Sequence, residues 1–273
     1  MIRLIRIAVS VLFVVTLAAF SYFYVGHKLS LDETLPVITV EGEAIEVSVS
    51  ATDEDLLKGV TAFDEKDGDL TDKVIVESIS KFIEKGVCKV TYAVCDADNH
   101  VANATRKIKY TDYTSPTFEL YDDLCFSLYE NAGVSNRLIA RDCMEGNITR
   151  DMIVTSSNFV ASTPGMFSVE AVVTNSKGDQ SYIKLPLLIE DRNPSAPKIS
   201  LSKYLIRIKT GEQQDYSSFV NEITDSEGNT ISPSVRVTSE VDLNNAGTYL
   251  VHYYATDEEG YEGHSVLTVI VEN

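Results

Sequence analysis

Tryptophan is absent from this 273-residue chain, and histidine and cysteine each occur only four times. A carbohydrate binder usually displays exposed aromatic platforms, so without tryptophan that role would fall to the 14 tyrosines. The motifs G-x-S-x-G, C-x-x-C and H-E-x-x-H are missing, as is a glycine-rich phosphate loop, which removes the common signatures of hydrolase, redox, zinc-protease and nucleotide chemistry. The four histidines do not make up for this. His27 abuts the apolar N-terminal run, His252 falls on the outer face of a strand, and His100 and His264 belong to loop or closing-strand regions of different repeats. Each is expected as a solvated surface residue rather than a base. No catalytic, cofactor-binding or metal-ligating residue is assigned, no cofactor is expected, and the chain is read as non-enzymatic.

Basic charge is also scarce. The formal net charge is -18, and residues 1–30 hold Arg3, Arg6 and Lys28 with no acidic residue. The remainder therefore carries 20 basic against 41 acidic residues, a net of -21. Such a surface repels nucleic acid and anionic lipid, so neither is expected as a partner of that portion. An acidic surface also keeps an exported protein soluble.

One long apolar run is present. Ile7 to Val25 is 19 residues without a charge, its polar members being Ser10, Thr16, Ser21, Tyr22 and Tyr24. At 1.5 Å per residue it spans roughly 28 Å, close to the ~30 Å hydrocarbon core of a bilayer. Arg3 and Arg6 precede it, and the positive-inside rule places them in the cytoplasm with the rest of the chain outside. Tyr22, Phe23 and Tyr24 would sit at the outer interface. A cleaved signal peptide shares the charged start and apolar run, but its core is usually about 7–15 residues and ends at a small-x-small site. Ala19-Phe20-Ser21, followed by aromatics, fits that poorly, and no cysteine follows the run to accept a lipid. The expectation is a single-pass membrane protein held by residues 7–25, with its C-terminal portion extracellular.

Beyond the run, one pattern recurs three times. Each copy opens at a proline (Pro36, Pro116, Pro197), spaced 80 and 81 residues. An acidic-glycine turn follows at Asp67-Gly68, Glu145-Gly146 and Glu227-Gly228, then a short β-branched segment such as Val74-Ile75-Val76. A further glycine, Gly86, Gly165 or Gly247, introduces strictly alternating apolar residues: Cys88, Val90, Tyr92, Val94; Phe167, Val169, Ala171, Val173; Tyr249, Val251, Tyr253, Ala255. Period-two apolarity repeated in register predicts a strand with one face buried in a sandwich. Asp96, Asn175 or Asp257 closes that strand, a turn former (Asn99, Gly178, Gly260) stands three residues later, and a last strand ends at Tyr110, Ile189 or Val271. Tyr92 and Tyr253 could place their hydroxyls on backbone as a tyrosine corner does, or be ordinary core tyrosines.

Short strands with turns every 8–12 residues, and no helical period, predict two-sheet all-β domains, and about 80 residues suffice for one sandwich core. The fold class is thus three tandem Ig-like β-sandwiches after one transmembrane helix. The expected boundaries are 1–30 for the cytoplasmic stub and anchor, then 31–113, 114–192 and 193–273 for the repeats. The short proline-bearing linkers, 113–116 and 192–197, predict an extended, semi-rigid array. The third copy closes near Asn273, so no appended catalytic domain is expected.

Residues 62–102, AFDEKDGDLTDKVIV…GVCKVTYAVCDADNHVA, and 247–263, GTYLVHYYATDEEGYEG, carry a family likeness. They resemble the bacterial Ig-like repeats of the pesticidal-crystal-protein type, which are similar to hyalin repeats. The second copy departs from the pattern in having Asn175 where the others have aspartate. This resemblance, covering Pro36 to Asn273, implies a surface interaction, adhesion or spacer module, with a surface protein or glycan as partner. It implies a class and no particular ligand.

Cys88 and Cys95 lie about 23 Å apart along one strand on opposite faces, too far to bridge. Cys88 is expected as a buried thiol, while Cys125 and Cys143 could meet across neighbouring strands. The acidic loop Asp64, Asp67, Asp69 and Asp72 could hold a hard cation such as Ca²⁺, or could be an exposed Asp-Gly turn. Asn103-Ala104-Thr105 and Asn147-Ile148-Thr149 have the form of glycosylation sequons.

Overall fold

A computed structural model describes residues 2–30, 34–130, 133–158 and 160–273. Residues 31–33, where the first repeat was expected to begin, and the side chains of Arg3, His27 and Lys28 lie outside the described residues. The chain divides into two compact units, Met1–Thr111 and Asp112–Asn273.

The first unit begins with the helix Ile2–Ser30. Its stretch Ile5–Gly26 is long and apolar enough to cross a membrane, and none of it is buried against protein. A helix that is apolar all round and lacks a protein partner presents its whole surface to its surroundings.

The first repeat is a sandwich of two sheets. Val37–Val40, Val60–Asp64 and Gly68–Asp69 form one; Ala44–Val47, Val101–Tyr110, Val87–Cys95 and Ile75–Ile79, in that spatial order, form the other. The opening strand starts directly after Pro36, breaks at Gly42 (φ 74°) and crosses from one sheet to the other. There Ala44–Val47 pairs in parallel with the closing strand, while every other pair in the repeat is antiparallel.

The second unit contains the same arrangement twice. Thr117–Leu120, Leu138–Asp142 and Gly146–Asn147 face a sheet ordered Ile153–Ser157, Gly165–Thr174, Gln180–Glu190, Cys125–Ser127. Lys198–Leu201 and Val220–Thr224 face a sheet ordered Leu205–Lys209, Glu262–Glu272, Gly247–Thr256, Val235–Ser239. Cys125–Ser127 and Leu205–Lys209 again run parallel to their closing strands.

Most of the alternating residues are buried as the period requires, while Phe167 and Tyr249, the first of their series, are half-buried against the same core. Cys88, Val90, Tyr92 and Val94 are buried, as are Val169, Ala171 and Val173, and Val251, Tyr253 and Ala255. Turn glycines Gly68, Gly146 and Gly228 adopt φ between 73° and 88°. Asn99, Gly178 and Gly260 also have positive φ, after the side chain of Asp96, Asn175 or Asp257 has accepted a backbone amide of its own turn. Such Asx turns explain why a short polar residue followed by a left-handed one recurs.

Tyr92 and Tyr253 both bridge the sandwich. The Tyr92 hydroxyl donates to the Leu56 carbonyl at 2.7 Å, and that of Tyr253 donates to the Tyr216 carbonyl at 2.8 Å. Their partners lie 36 and 37 residues upstream, so these contacts tie one part of a repeat to another rather than forming a local corner.

The linker 192–197, expected to give an extended, semi-rigid array, joins two repeats that pack on each other. The buried side chains of the second and third repeats form one continuous apolar cluster, and Cys125, Leu188, Leu250 and Val266 make a second patch where they meet. Pro197, just before the opening strand Lys198–Leu201, is held close to the third repeat's own closing strand. A Cβ on Gly263 would fall 1.8 Å from the Pro197 carbonyl oxygen, so no larger residue fits there.

Candidate functional site

The sequence-selected acidic loop resolves into turn geometry. Asp64 is buried, and one of its carboxylate oxygens accepts the amides of Lys66 and Asp67 at 2.9 and 3.0 Å. Asp67 caps the amide of Ala97 across the sandwich end, Asp69 accepts from Thr71, and Asp72 lies on the short 3-10 turn Thr71–Lys73. These carboxylates organise backbone. The equivalent Asp142 accepts from Met144 and Glu145 and also from the Asn175 side chain, 2.9 Å away.

No disulfide joins the cysteines. Cys88 is a buried thiol and Cys95 points outward, as expected. The pairing considered for Cys125 and Cys143 does not form. Cys125 is buried and donates to Glu190, whereas Cys143 is exposed and donates to the Thr114 carbonyl. The register sends these two thiols to opposite environments.

The densest polar chemistry among the described residues lies where the second and third repeats meet, and two of the histidines expected in solvent are part of it. Glu262–Glu272 pairs with Gly247–Thr256 so that His264 stands directly opposite Tyr254, and their rings stack at 4.4 Å and 4°. His252, two residues before Tyr254, shares that face and stacks on His264 at 5.2 Å. On the other side of Tyr254, Arg236 lies opposite in register with its guanidinium 4.0 Å from the ring centroid. The outward face assigned to His252 was right, but the second repeat covers part of it.

Glu190, the last residue of its strand, reaches this ladder from the second repeat. Its carboxylate lies 2.8 and 2.9 Å from His264 Nδ1 and accepts the Cys125 thiol at 3.3 Å. His264 Nε2 and His252 Nδ1 share a hydrogen bond of 3.0 Å, and His252 Nε2 faces Glu240 at 3.7 Å. Arg192 donates to the His264 carbonyl at 2.8 Å and pairs loosely with Asp123 at 3.7 Å. Asp123 in turn accepts from Ser265 Oγ at 2.9 Å.

Burial pushes the Cys125 thiol and the Asp123 carboxyl up, with Arg192 opposing both. Burial alone would raise Glu190, yet hydrogen bonding and charge from His264, with Cys125 and Arg192, hold it down at about 2. Burial, then His264, lowers His252. A protonated thiol is a poor nucleophile, since thiolate is the reactive form. What the arrangement offers is ligation: thiol sulfur, carboxylate oxygen and imidazole nitrogen all lie within 4.8 Å of one another. A cleft of about 730 Å³, lined by Asp123, Arg137, Glu190, Arg192, Tyr254 and His264 among others, opens beside them.

None of this was visible in the sequence, because Cys125, Glu190 and His264 are 65 and 74 residues apart and match no motif. The available signal was indirect: a histidine and a tyrosine on the outer face of one strand opposite a histidine on the next.

Residues 206–271 match the family model described as Bacterial surface protein, Ig-like domain. Over 245 residues, 85% of this chain, the sequence is 29% identical to pesticidal crystal protein Cry22Aa of Bacillus thuringiensis. It is 28% identical over 141 residues, half of this chain, to an 81.3 kDa protein of Acholeplasma phage L2. The chain spans 33% and 19% of the lengths of these relatives. Among solved structures, Drosophila N-cadherin EC1-3 is 12% identical with a TM-score of 0.31, covering 89% of this chain and 90% of that one. The M60 catalytic domain with CBM51-1 and CBM51-2 from Clostridium perfringens ZmpB is 14% identical, with a TM-score of 0.24, over 88% of this chain and 31% of that one.

Proposed function

From the premise that residues 206–271 form a domain of the bacterial surface protein Ig-like family, we propose that the chain is a non-catalytic surface array, anchored by its N-terminal helix and presenting its three repeats outside the cell. The observation that carries this reading is one sandwich topology used three times downstream of a helix whose apolar stretch, Ile5–Gly26, has no protein packed on it. Arg3 and Arg6, before the uncharged run Ile7 to Val25, favour a cytoplasmic N-terminus. Repeats of this kind serve as interaction, adhesion or spacer modules.

Intact bacteria expressing a C-terminally tagged chain provide the test. Protease added outside should remove the tag, while an N-terminal tag should stay protected and remain with membranes after alkaline washing. A tag that resists external protease, or a chain released whole into the medium with residues 1–30 removed, refutes the anchored topology.

A glycan or cell-wall ligand is the second reading, and the placement of tyrosines favours it. Tyr121, Tyr129 and Tyr182, all in the second repeat, are 75%, 79% and 70% exposed. A glycan array probed with the full chain separates the two readings. Binding that is lost on replacing these tyrosines with serine supports the glycan reading, and a blank array leaves the protein-interaction or spacer role.

A further inference from the structure

We propose that Cys125, Glu190 and His264 form a site for a zinc-class divalent cation that staples the second repeat to the third. Zinc takes cysteine sulfur at about 2.3 Å and histidine nitrogen or carboxylate oxygen at about 2.0–2.2 Å, with tetrahedral geometry. Ligand atoms around such an ion therefore stand about 3.4–3.7 Å apart. The three atoms here already lie within 4.8 Å of one another, with sulfur 3.3 Å and nitrogen 2.8 Å from the carboxylate. Opening the two hydrogen-bonded separations by up to roughly half an ångström, with sulfur and nitrogen brought to the same spacing of about 3.5 Å, admits the ion.

The surroundings match what a ligating histidine needs. Such a histidine usually gives its second ring nitrogen to a fixed partner, which sets the tautomer and orientation. His264 presents Nδ1 to the cluster, and its Nε2 is already joined to His252 Nδ1 at 3.0 Å, with Glu240 beyond at 3.7 Å. Stacking on Tyr254 fixes the ring plane. The adjoining cleft reaches Glu190 and His264, giving an ion a way in and a water a fourth position.

Charge balances as well. Binding expels the Cys125 proton to solvent, so thiolate and Glu190 carboxylate together offset the two positive charges of the ion. Arg192, the nearby cation, faces both the Glu190 carboxylate at 3.5 Å and Asp123 at 3.7 Å and donates to the His264 carbonyl, so with the ion bound Asp123 remains as its counter-charge. Sulfur, nitrogen and oxygen together select a borderline-soft ion such as Zn²⁺ rather than Ca²⁺ or Mg²⁺, which take oxygen alone.

Cobalt reports this directly. The full chain in detergent micelles, stripped of metal, should take up one equivalent of Co²⁺ with a thiolate-to-cobalt charge-transfer band that one equivalent of Zn²⁺ abolishes. Cys125→Ser should remove the band, and Cys95→Ser and Cys143→Ser, at exposed positions, should leave it. His264→Gln should weaken Co²⁺ binding by more than tenfold, and His252→Ala by roughly 10–100-fold as the outer partner. Should circular dichroism show Cys125→Ser to be unfolded, His264→Gln made in a Cys95→Ser/Cys143→Ser chain decides the matter. Loss of the band there supports the site, and an unchanged band overturns it. No band in the folded parent chain, or one that survives folded Cys125→Ser, also overturns it.

Discussion

At the sixth position after the strand-opening glycine, the first repeat carries Tyr92 and the second Ala171, and the interiors built around them differ in kind. In the first repeat the Tyr92 hydroxyl donates to the Leu56 carbonyl and accepts from Arg106 at 2.8 Å. The buried Arg106 guanidinium also donates to the Leu56 and Lys58 carbonyls, at 2.7 and 3.1 Å. In the second repeat Ala171 leaves no such bridge, and Phe118, Leu124, Phe126 and Leu138 are buried instead. Arg137 lies over Phe126 from the outer side, 3.9 Å from its ring centroid. One topology thus accepts either a polar strut or an apolar filling. What matters is that the Tyr92 hydroxyl and both terminal nitrogens of Arg106 find partners, although Arg106 Nε is buried without one among the described residues.

Breaking the strut should have the largest effect. Tyr92→Ala removes a fully buried ring and strands Arg106, so we expect a loss of about 3–5 kcal/mol in the first repeat. Hydrogen exchange of the Val87–Cys95 amides would register it, with the second unit unaffected. Deleting only the hydroxyl sharpens the contrast between the two tyrosines. Tyr92→Phe removes a bond from a charged group and should cost about 1.5–3 kcal/mol, against about 1 kcal/mol for Tyr253→Phe, whose partner is a neutral carbonyl. Equal losses in denaturant titrations would mean that Arg106 contributes nothing through Tyr92.

The closing residue of the strand supplies a third test. Asn175 donates to the buried Asp142 carboxylate at 2.9 Å and to the Tyr113 hydroxyl at 2.9 Å. Asn175→Asp turns that donor into a like charge, and we expect a loss of about 1–3 kcal/mol in the second repeat. In the first repeat Asp96 accepts from His100 and Asp98, so the reverse change Asp96→Asn keeps most acceptors and should be mild near neutrality.

The smallest effect is one of pH. Burial would raise the Asp96 carboxyl, but hydrogen bonds and charge from His100, with the Asp98 amide, bring it below its ordinary 3.8. A depressed carboxyl contributes stability that is complete above 3.8 and disappears as pH falls through the folded value. Acid titration of Asp96→Asn should therefore show a shallower decline for the first repeat than the parent chain shows.

Residues with local causes were legible before the structure. Proline before each opening strand, acidic-glycine turns, the buried alternation around Tyr92 and Tyr253, and the Asx closure at Asp96 and Asp257 all follow from periods and φ preferences that a few adjacent residues express. Asn175 looked like a departure from the pattern, yet it is the residue that the neighbouring Asp142 requires. The meeting of the second and third repeats was not legible. His264 reads as a surface residue within its own strand and Glu190 matches no motif, and only the docking of one sandwich on the next brings them together. Whether Cys125 and Cys143 meet across neighbouring strands depends on which sheet each segment joins, and the residues around them do not express that.

The opening strand that changes sheets has a mechanical consequence. Because it runs parallel to the strand that closes the same repeat, pulling on the two ends of a repeat slides one against the other. The ladder is then strained along its whole length at once instead of opening link by link. The matched stretches are Leu205–Lys209 on Thr268–Glu272, Ala44–Val47 on Lys107–Tyr110, and Cys125–Ser127 on Leu188–Glu190, five, four and three residues long. Tension along the chain would therefore extend the middle repeat first, and the proposed cation, gripping Cys125 and Glu190, would clamp that shortest ladder.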